Sequence, residues 1–131
     1  VIGQWLPVKK WHMKNFKKLQ VWEKGMAIVV KTYEITKTIS KEEKYGLISQ
    51  MNRASVSIPS NIAEGSSRTS DKDFKRFLQI ALGSSFELET QLLITQELSL
   101  SNSERIEDLL IVLTEEQKML HKLIAVLGSK S

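Results

Sequence analysis

The residue types that most often perform chemistry are few in this sequence, and they form no recognisable catalytic pattern. Neither of the two histidines, His12 and His121, has a second metal-ligating residue three or four positions away. Glu87 and Glu89 lie close together, but they lack the Glu-x-x-His spacing with which helical bundles bind paired metal ions. The absence of cysteine excludes disulfides and thiolate metal sites. The sequence therefore predicts no catalytic residue, no cofactor and no metal site.

Two other polar groupings also have a structural interpretation. Gln117 and His121 are four residues apart, which places them on one helix face, and we interpret them as a polar edge of a bundle. Gly65 is followed by Ser-Ser-Arg, which indicates the end of a helix and lacks the Gly-Lys-Ser/Thr ending of a phosphate-binding loop. We therefore expect a protein that is not an enzyme.

Length and composition describe one ordinary globular domain. The chain has 131 residues, of which 41% are hydrophobic and 26% are charged. No apolar run approaches the roughly 20 residues that span a bilayer, and the first residues lack the apolar segment of a signal peptide. We expect a cytoplasmic protein without membrane contact. The predicted organisation is an N-terminal extension at 1–12, which is non-native or disordered, a helical domain at 13–128 and a tail at 129–131.

Hydrophobic periodicity predicts four helices, the first of them from about Phe16 to Ile39. This helix carries two apolar stripes, each with the three- and four-residue steps of one helix face. The first stripe consists of Leu19, Trp22, Met26, Val29 and Tyr33, and the second of Val21, Ile28, Ile35 and Ile39. Because one stripe is enough to join a bundle, two stripes indicate contacts on both sides. The second stripe is the candidate oligomer interface, and the alternative is a further helix of the same core.

The remaining helices are predicted over 41–64, from Ser70 to Leu98, and from a Ser101–Glu104 capping box to Gly128. Pro59 falls inside the second helix and should kink or widen it, with nearby serine and asparagine groups satisfying the freed backbone. Gly65 should then end this helix in a left-handed conformation. Gly83 has no side chain inside the third helix, which suggests close approach of a neighbouring helix. Long amphipathic helices joined by short turns predict an all-α, antiparallel up-and-down four-helix bundle.

Charge is distributed unevenly along the chain, whose net charge is +4. The stretch 9–44 contains ten lysines and four acids, whereas 84–131 contains four basic residues and eight acids. The basic part could meet phosphate backbones or the acidic part of a neighbouring subunit. The alternative is that both are solvated helix faces.

Three stretches together resemble one protein family. They are NFKKLQVWEKG at 15–25, the pattern Ser-Ile-Pro-x-Asn-Ile-Ala-Glu-Gly at 57–65, and FKRFLQIALGSSFELETQL at 74–92. In these motifs the chain is similar to the four-helix bundle proteins encoded in intervening sequences of bacterial 23S ribosomal RNA genes. The resemblance extends over about 13–128.

The resemblance implies a left-handed up-and-down bundle that assembles as a homo-pentamer and has no established biochemical activity. A related protein, the accessory protein of diversity-generating retroelements, is a basic pentameric bundle that binds nucleic acid and a reverse transcriptase. By similarity, RNA and a nucleic-acid-processing protein become candidate partners. The candidate contact residues are Lys14, Lys17, Lys18, Lys24, Arg53 and Arg68, and the motif residues of interest are Ser57, Pro59, Asn61, Glu64 and Gly65.

The motif residues also have a structural interpretation. Arg53 and Glu64 are eleven residues apart, which is close to three helical turns, so they share a face and could pair with Glu87, Glu89 or Gln91 of the third helix. Two functions remain open: an oligomeric RNA- or nucleoprotein-binding scaffold, or a self-assembling interaction module without nucleic-acid affinity. The second is favoured if the lysines of the first helix are spread around it or are paired with acids of the fourth helix of a neighbour, namely Glu107, Asp108, Glu115 and Glu116.

Overall fold

A computed structural model describes residues 15–129 of the chain. It contains four long helices: α1 at Gln20–Thr36, α2 at Ser49–Ser66, α3 at Asp71–Glu97 and α4 at Ser103–Ser129. Short 3-10 turns at Phe16–Lys18 and Lys41–Glu43 precede α1 and α2, and a π-helical turn at Lys44–Ile48 leads into α2. Within 15–129 there is no strand. The predicted all-α four-helix fold is confirmed, whereas the predicted extension at 1–12 lies outside the described residues.

Contacts between side chains show that consecutive helices run in opposite directions. The hydroxyl of Thr36, at the end of α1, donates to Asn52 near the start of α2 over 3.0 Å. Ser57 and Ser84 join the middle of α2 to the middle of α3 over 2.8 Å. The amide of Gln96, near the end of α3, donates to Ser103 at the start of α4. The bundle closes because α4 also packs against α1, with Thr38 and Ser101 2.6 Å apart just beyond the two helix ends.

The core lies between the four helices. It includes the stripe of α1 that the sequence predicts to face another subunit. The second stripe, predicted as an oligomer interface, is buried in the core of the single chain: Val21, Ile28, Ile35 and Ile39 are 0–5% exposed. This prediction is wrong because Gly25 and Thr32, which are small or polar, continue the same buried face and conceal it in the sequence. From the first stripe, Met26 and Tyr33 are exposed instead.

The termini of α3 and α4 follow ordinary capping chemistry. Ser70 is the N-cap of α3, since its hydroxyl accepts a hydrogen bond from the amide of Asp73 over 3.1 Å. At α4 the cap is Asn102, whose side-chain oxygen accepts from the amide of Arg105 over 3.0 Å. The N-cap is therefore Asn102, one residue after the predicted Ser101, because an asparagine accepts this bond as well as a serine does.

Helix α2 departs from the prediction in its second half. The helix continues through Pro59 to Ser66, and Gly65 lies inside it with an ordinary negative φ, so the predicted left-handed end at Gly65 is wrong. The reason for a glycine is proximity: a Cβ at Gly65 would lie 2.6 Å from Cβ of Phe77 in α3. The reverse holds for Gly83, where a Cβ would meet nothing within 4 Å, so no close neighbour in the described chain explains it.

Candidate nucleic-acid interface

Three of the candidate phosphate-binding residues lie at one end of the bundle. Lys17 and Lys18 occupy the turn that precedes α1, and Arg68 follows the end of α2. Because α1 and α2 run antiparallel, the start of one and the end of the other share one end of the molecule. Lys14 lies outside the described residues.

Arg53 does not join this group. It stands 15 positions before Arg68 on α2, which corresponds to roughly 22 Å along a helix. Its guanidinium lies 3.8 Å from a carboxylate oxygen of Glu87, one of the acceptors expected on the third helix. Glu64, predicted to share this face, instead pairs with Arg68 over 2.8 Å, one turn further along the chain.

Lys24 is tied to α4 of its own chain. Its ammonium donates to Glu115 over 3.0 Å, and its side chain is 29% exposed. Glu115 is one of the acids that could have paired with a neighbouring subunit, but the pair forms within the single bundle. Lys24 is therefore a weaker candidate for phosphate binding than Lys17 or Lys18, which form no ion pair within 15–129.

The same end of the bundle contains further cations that sequence reasoning missed. The first two turns of α3 carry Lys72, Lys75 and Arg76, and the last part of α4 carries Lys122. Lys18 and Lys122 line one groove of about 420 Å³ between α1 and α4. The antiparallel topology is the signal that could have found them, because it brings the start of α3 and the end of α4 to the start of α1.

Two of these cations are held over one aromatic ring. The guanidinium carbons of Arg68 and Arg76 each lie 4.7 Å from the centre of the Phe77 ring, within cation–π distance. Phe77 itself is only 7% exposed. The ring therefore positions two arginine side chains at the turn between α2 and α3 without being available for base stacking.

The outcome is a bundle with ends of opposite charge. At the end formed by 15–24, 64–76 and 118–129, nine lysines and arginines face four acids. We call this surface the basic end. At the opposite end, formed by 31–53 and 87–108, six basic residues face nine acids. The uneven charge along the sequence thus becomes a separation in space, which gives the basic end an excess of positive charge.

The remaining motif residues of α2 form local contacts. The amide of Asn61 donates to the backbone oxygen of Ser57 over 2.8 Å and to its hydroxyl over 2.9 Å. The sequence predicts that such groups satisfy the backbone carbonyl freed by Pro59. That carbonyl belongs to Ser55, one turn before the proline, whereas Asn61 donates to the carbonyl of Ser57. Ser57 also joins α2 to α3 through Ser84. Of the motif residues, Pro59 and Gly65 are buried, whereas Glu64 is exposed.

The polar groupings of α3 and α4 do not converge on a ligand. The amide of Gln117 donates to Glu89 over 2.8 Å, and the ring of His121 lies 6.4 Å from that of Phe86. Across 15–129, no three His, Asp or Glu side chains are grouped as a metal ion would require. None of the helices in this range is long and apolar enough to cross a membrane.

The fold and the basic end define the chain as a small four-helix bundle protein with a cation-rich end. It belongs to the family of 23S rRNA-intervening sequence proteins, whose model matches residues 17–122. A crystal structure from Bacteroides thetaiotaomicron, of a protein of unknown function from the S23 ribosomal protein family, is similar over 79% of this chain and 97% of that chain. The TM-score is 0.74 at 28% sequence identity. No curated protein matches the chain.

Proposed function

We propose that the chain is a non-enzymatic, cytoplasmic scaffold that assembles with copies of itself and binds RNA through the basic end. The observation that carries this proposal is that lysines and arginines from α1, α3, α4 and the segments next to α1 and α2 converge on one end of the bundle. The family name supports RNA as the polyanion, because the family is named after the intervening sequences of 23S rRNA.

The chemistry of the basic end favours phosphate contacts over base recognition. Lysine is a point charge that binds phosphate without reading sequence. Lys17, Lys18 and Lys72 are exposed and form no ion pair within the described part of the chain. Because Phe77 is covered by Arg68 and Arg76, it offers no stacking surface for an unpaired base. Binding should therefore be strongly salt-dependent and weakly selective for sequence.

The test compares two matched triple variants in RNA binding across a salt series. One variant replaces Lys17, Lys18 and Lys72 of the basic end by alanine, and the control replaces Lys37, Lys41 and Lys44 at the opposite end. Both remove three exposed positive charges, so they change the net charge equally. A labelled fragment of 23S rRNA serves as the probe, and its affinity is measured by fluorescence anisotropy.

The basic-end variant should bind more weakly. The slope of log K against log salt, which is negative, should become less steep by roughly 0.7–0.9 for each phosphate that the protein no longer neutralises. The control variant should retain the slope of the unmodified chain. Equal weakening in both variants would show that only net charge matters and would refute a site at the basic end. Absence of binding to RNA even at low salt would refute the RNA function itself.

A second candidate function is a self-assembling interaction module without nucleic-acid affinity. It is favoured by an apolar stripe on the outer face of α1, where Met26 is 41%, Val30 57% and Tyr33 39% exposed. An exposed apolar stripe of this kind is typical of protein–protein contacts. Light scattering on the purified chain tests assembly: a pentamer that ignores RNA would favour this function, and a monomer would contradict both candidates.

A further inference from the structure

The middle of α4 contains a carboxyl group that no other polar group satisfies. Glu116 is 0% exposed, and neither of its carboxyl oxygens has a hydrogen-bond partner among the described residues. An ionised carboxylate in such a position is costly, because burial removes its hydration and nothing replaces it. A neutral carboxyl is far less costly and has an O–H donor to offer.

The carboxyl lies where α4 meets Gly25 of α1 and Pro59 of α2. A Cβ on Gly25 of α1 would be 3.3 Å from Oε2 of Glu116 and 3.3 Å from Cβ of Pro59 in α2. Gly25 therefore leaves the space that the carboxyl and the proline ring share. Pro59 lacks a backbone N–H, so the carbonyl of Ser55, one turn earlier on the same buried face, receives no hydrogen bond from position 59.

The charged groups around Glu116 do not neutralise it. On α1 the nearest is Lys24, whose ammonium is bound to Glu115 of α4 over 3.0 Å. The side of α2 that borders the space contains Ile58 and Pro59, neither of which titrates. On α3, Glu89 accepts a hydrogen bond from Gln117, the residue that follows Glu116 in α4. Burial raises the pKa of Glu116 to about 8, and the charge of Lys24 opposes this only in part.

We propose that Glu116 retains its proton in the folded bundle at neutral pH and acts as a pH-sensitive latch between α1, α2 and α4. In this latch the neutral carboxyl fills the space beside Gly25, between α1, α2 and α4. Loss of the proton places an unpaired charge in the core and loosens the packing of the three helices. The latch is independent of RNA binding, since it lies inside the bundle.

The sign of the pH dependence follows from proton binding. Because the folded chain binds this proton more tightly than the unfolded chain, the stability from Glu116 is fully present below the ordinary pKa of 4.5. It is lost as the pH rises from there through about 8. In that window the unfolding equilibrium constant should increase about tenfold per pH unit, as expected for one proton released on unfolding.

The test measures urea unfolding from pH 5 to pH 9 for the unmodified chain, Glu116→Gln and the control Glu115→Gln, all at one protein concentration. Glutamine retains the shape and a donor but does not titrate. The steep dependence should disappear in Glu116→Gln and persist in Glu115→Gln, whose position is 54% exposed. Parallel pH profiles of the unmodified chain and Glu116→Gln would overturn the proposal.

A second measurement does not depend on the folding of the variant. Infrared spectra of the unmodified chain with isotope-labelled glutamate should show one protonated carboxyl at pH 7 that ionises near pH 8. If every glutamate is ionised at pH 7 in the folded chain, Glu116 does not retain its proton and the latch does not exist.

Discussion

Replacing Gly65 by alanine tests whether close packing, and not backbone conformation, requires glycine at this position. The added methyl group would lie 2.6 Å from Cβ of Phe77 and 3.0 Å from Cδ1 of Phe74. Cβ of Phe77 is one bond from the backbone of α3, so relief requires a movement of α2 away from α3 rather than a rotation of a side chain. The mutation therefore perturbs the packing of two whole helices.

The expected magnitude is the difference of two effects. Overpacking of a tight contact costs about 1–3 kcal/mol, and a separation of 2.6 Å favours the upper end. Alanine is favoured over glycine inside a helix by about 1 kcal/mol, because it restricts the unfolded chain. The free energy of unfolding of Gly65→Ala should therefore fall by about 2 kcal/mol.

The matched control is Gly83→Ala in the interior of α3. Its added methyl group meets nothing within 4 Å, so only the helix preference remains and the free energy of unfolding should rise by about 1 kcal/mol. Both variants are compared with the unmodified chain by urea unfolding followed with far-ultraviolet circular dichroism. If Gly65→Ala is as stable as Gly83→Ala, the contact with Phe77 does not constrain α2, and close packing does not explain the glycine.

Two further substitutions test single contacts of α3 and α2. Ser70→Ala removes the hydroxyl that accepts from the amide of Asp73, and urea unfolding should show a decrease in stability of about 1 kcal/mol; no decrease would mean that water replaces the cap. Arg53→Ala removes a side chain that is 73% exposed and 3.8 Å from Glu87, so the free energy of unfolding should change by less than about 0.5 kcal/mol. RNA affinity should also be unaffected, and a large decrease would extend the binding surface beyond the basic end.

Periodicity predicts the four helices because each buries one continuous face, and a face leaves a regular mark in sequence. It does not decide which face of α1 is inside. Both stripes of α1 repeat every three or four residues, the one at Val21 and Ile28 as well as the one at Met26 and Tyr33. The buried stripe also includes Gly25, which has no apolar side chain to indicate burial. Only the shape of the neighbouring α2 and α4 explains why a glycine belongs there.

The buried position of Glu116 escapes sequence reasoning for a related cause. A charged residue on an amphipathic helix is normally assigned to the solvated face, and Glu116 therefore groups with Glu115 as an acid available to a neighbour. Its spacing of three and four from Leu113 and Leu120 places it on the buried face, as the structure shows. The spacing therefore indicates burial of Glu116, but the charge of a glutamate favours assigning it to the solvated face. The basic end is predictable only in part because it depends on topology, which joins residues far apart in sequence.

The position of the apolar stripe relative to the basic end links the two proposed properties. Met26, Val30 and Tyr33 lie along the side of the bundle, whereas Lys17, Lys18 and Lys72 lie at its end. Side-by-side association through the stripe would therefore leave the basic end uncovered. In a cyclic assembly whose axis follows the helices, every basic end faces the same way, so one RNA can contact several subunits at once. Such multivalent contact strengthens binding without any new type of contact, because each further subunit binds an RNA that is already held nearby. Assembly and RNA binding are therefore better understood as two parts of one proposed function than as competing alternatives.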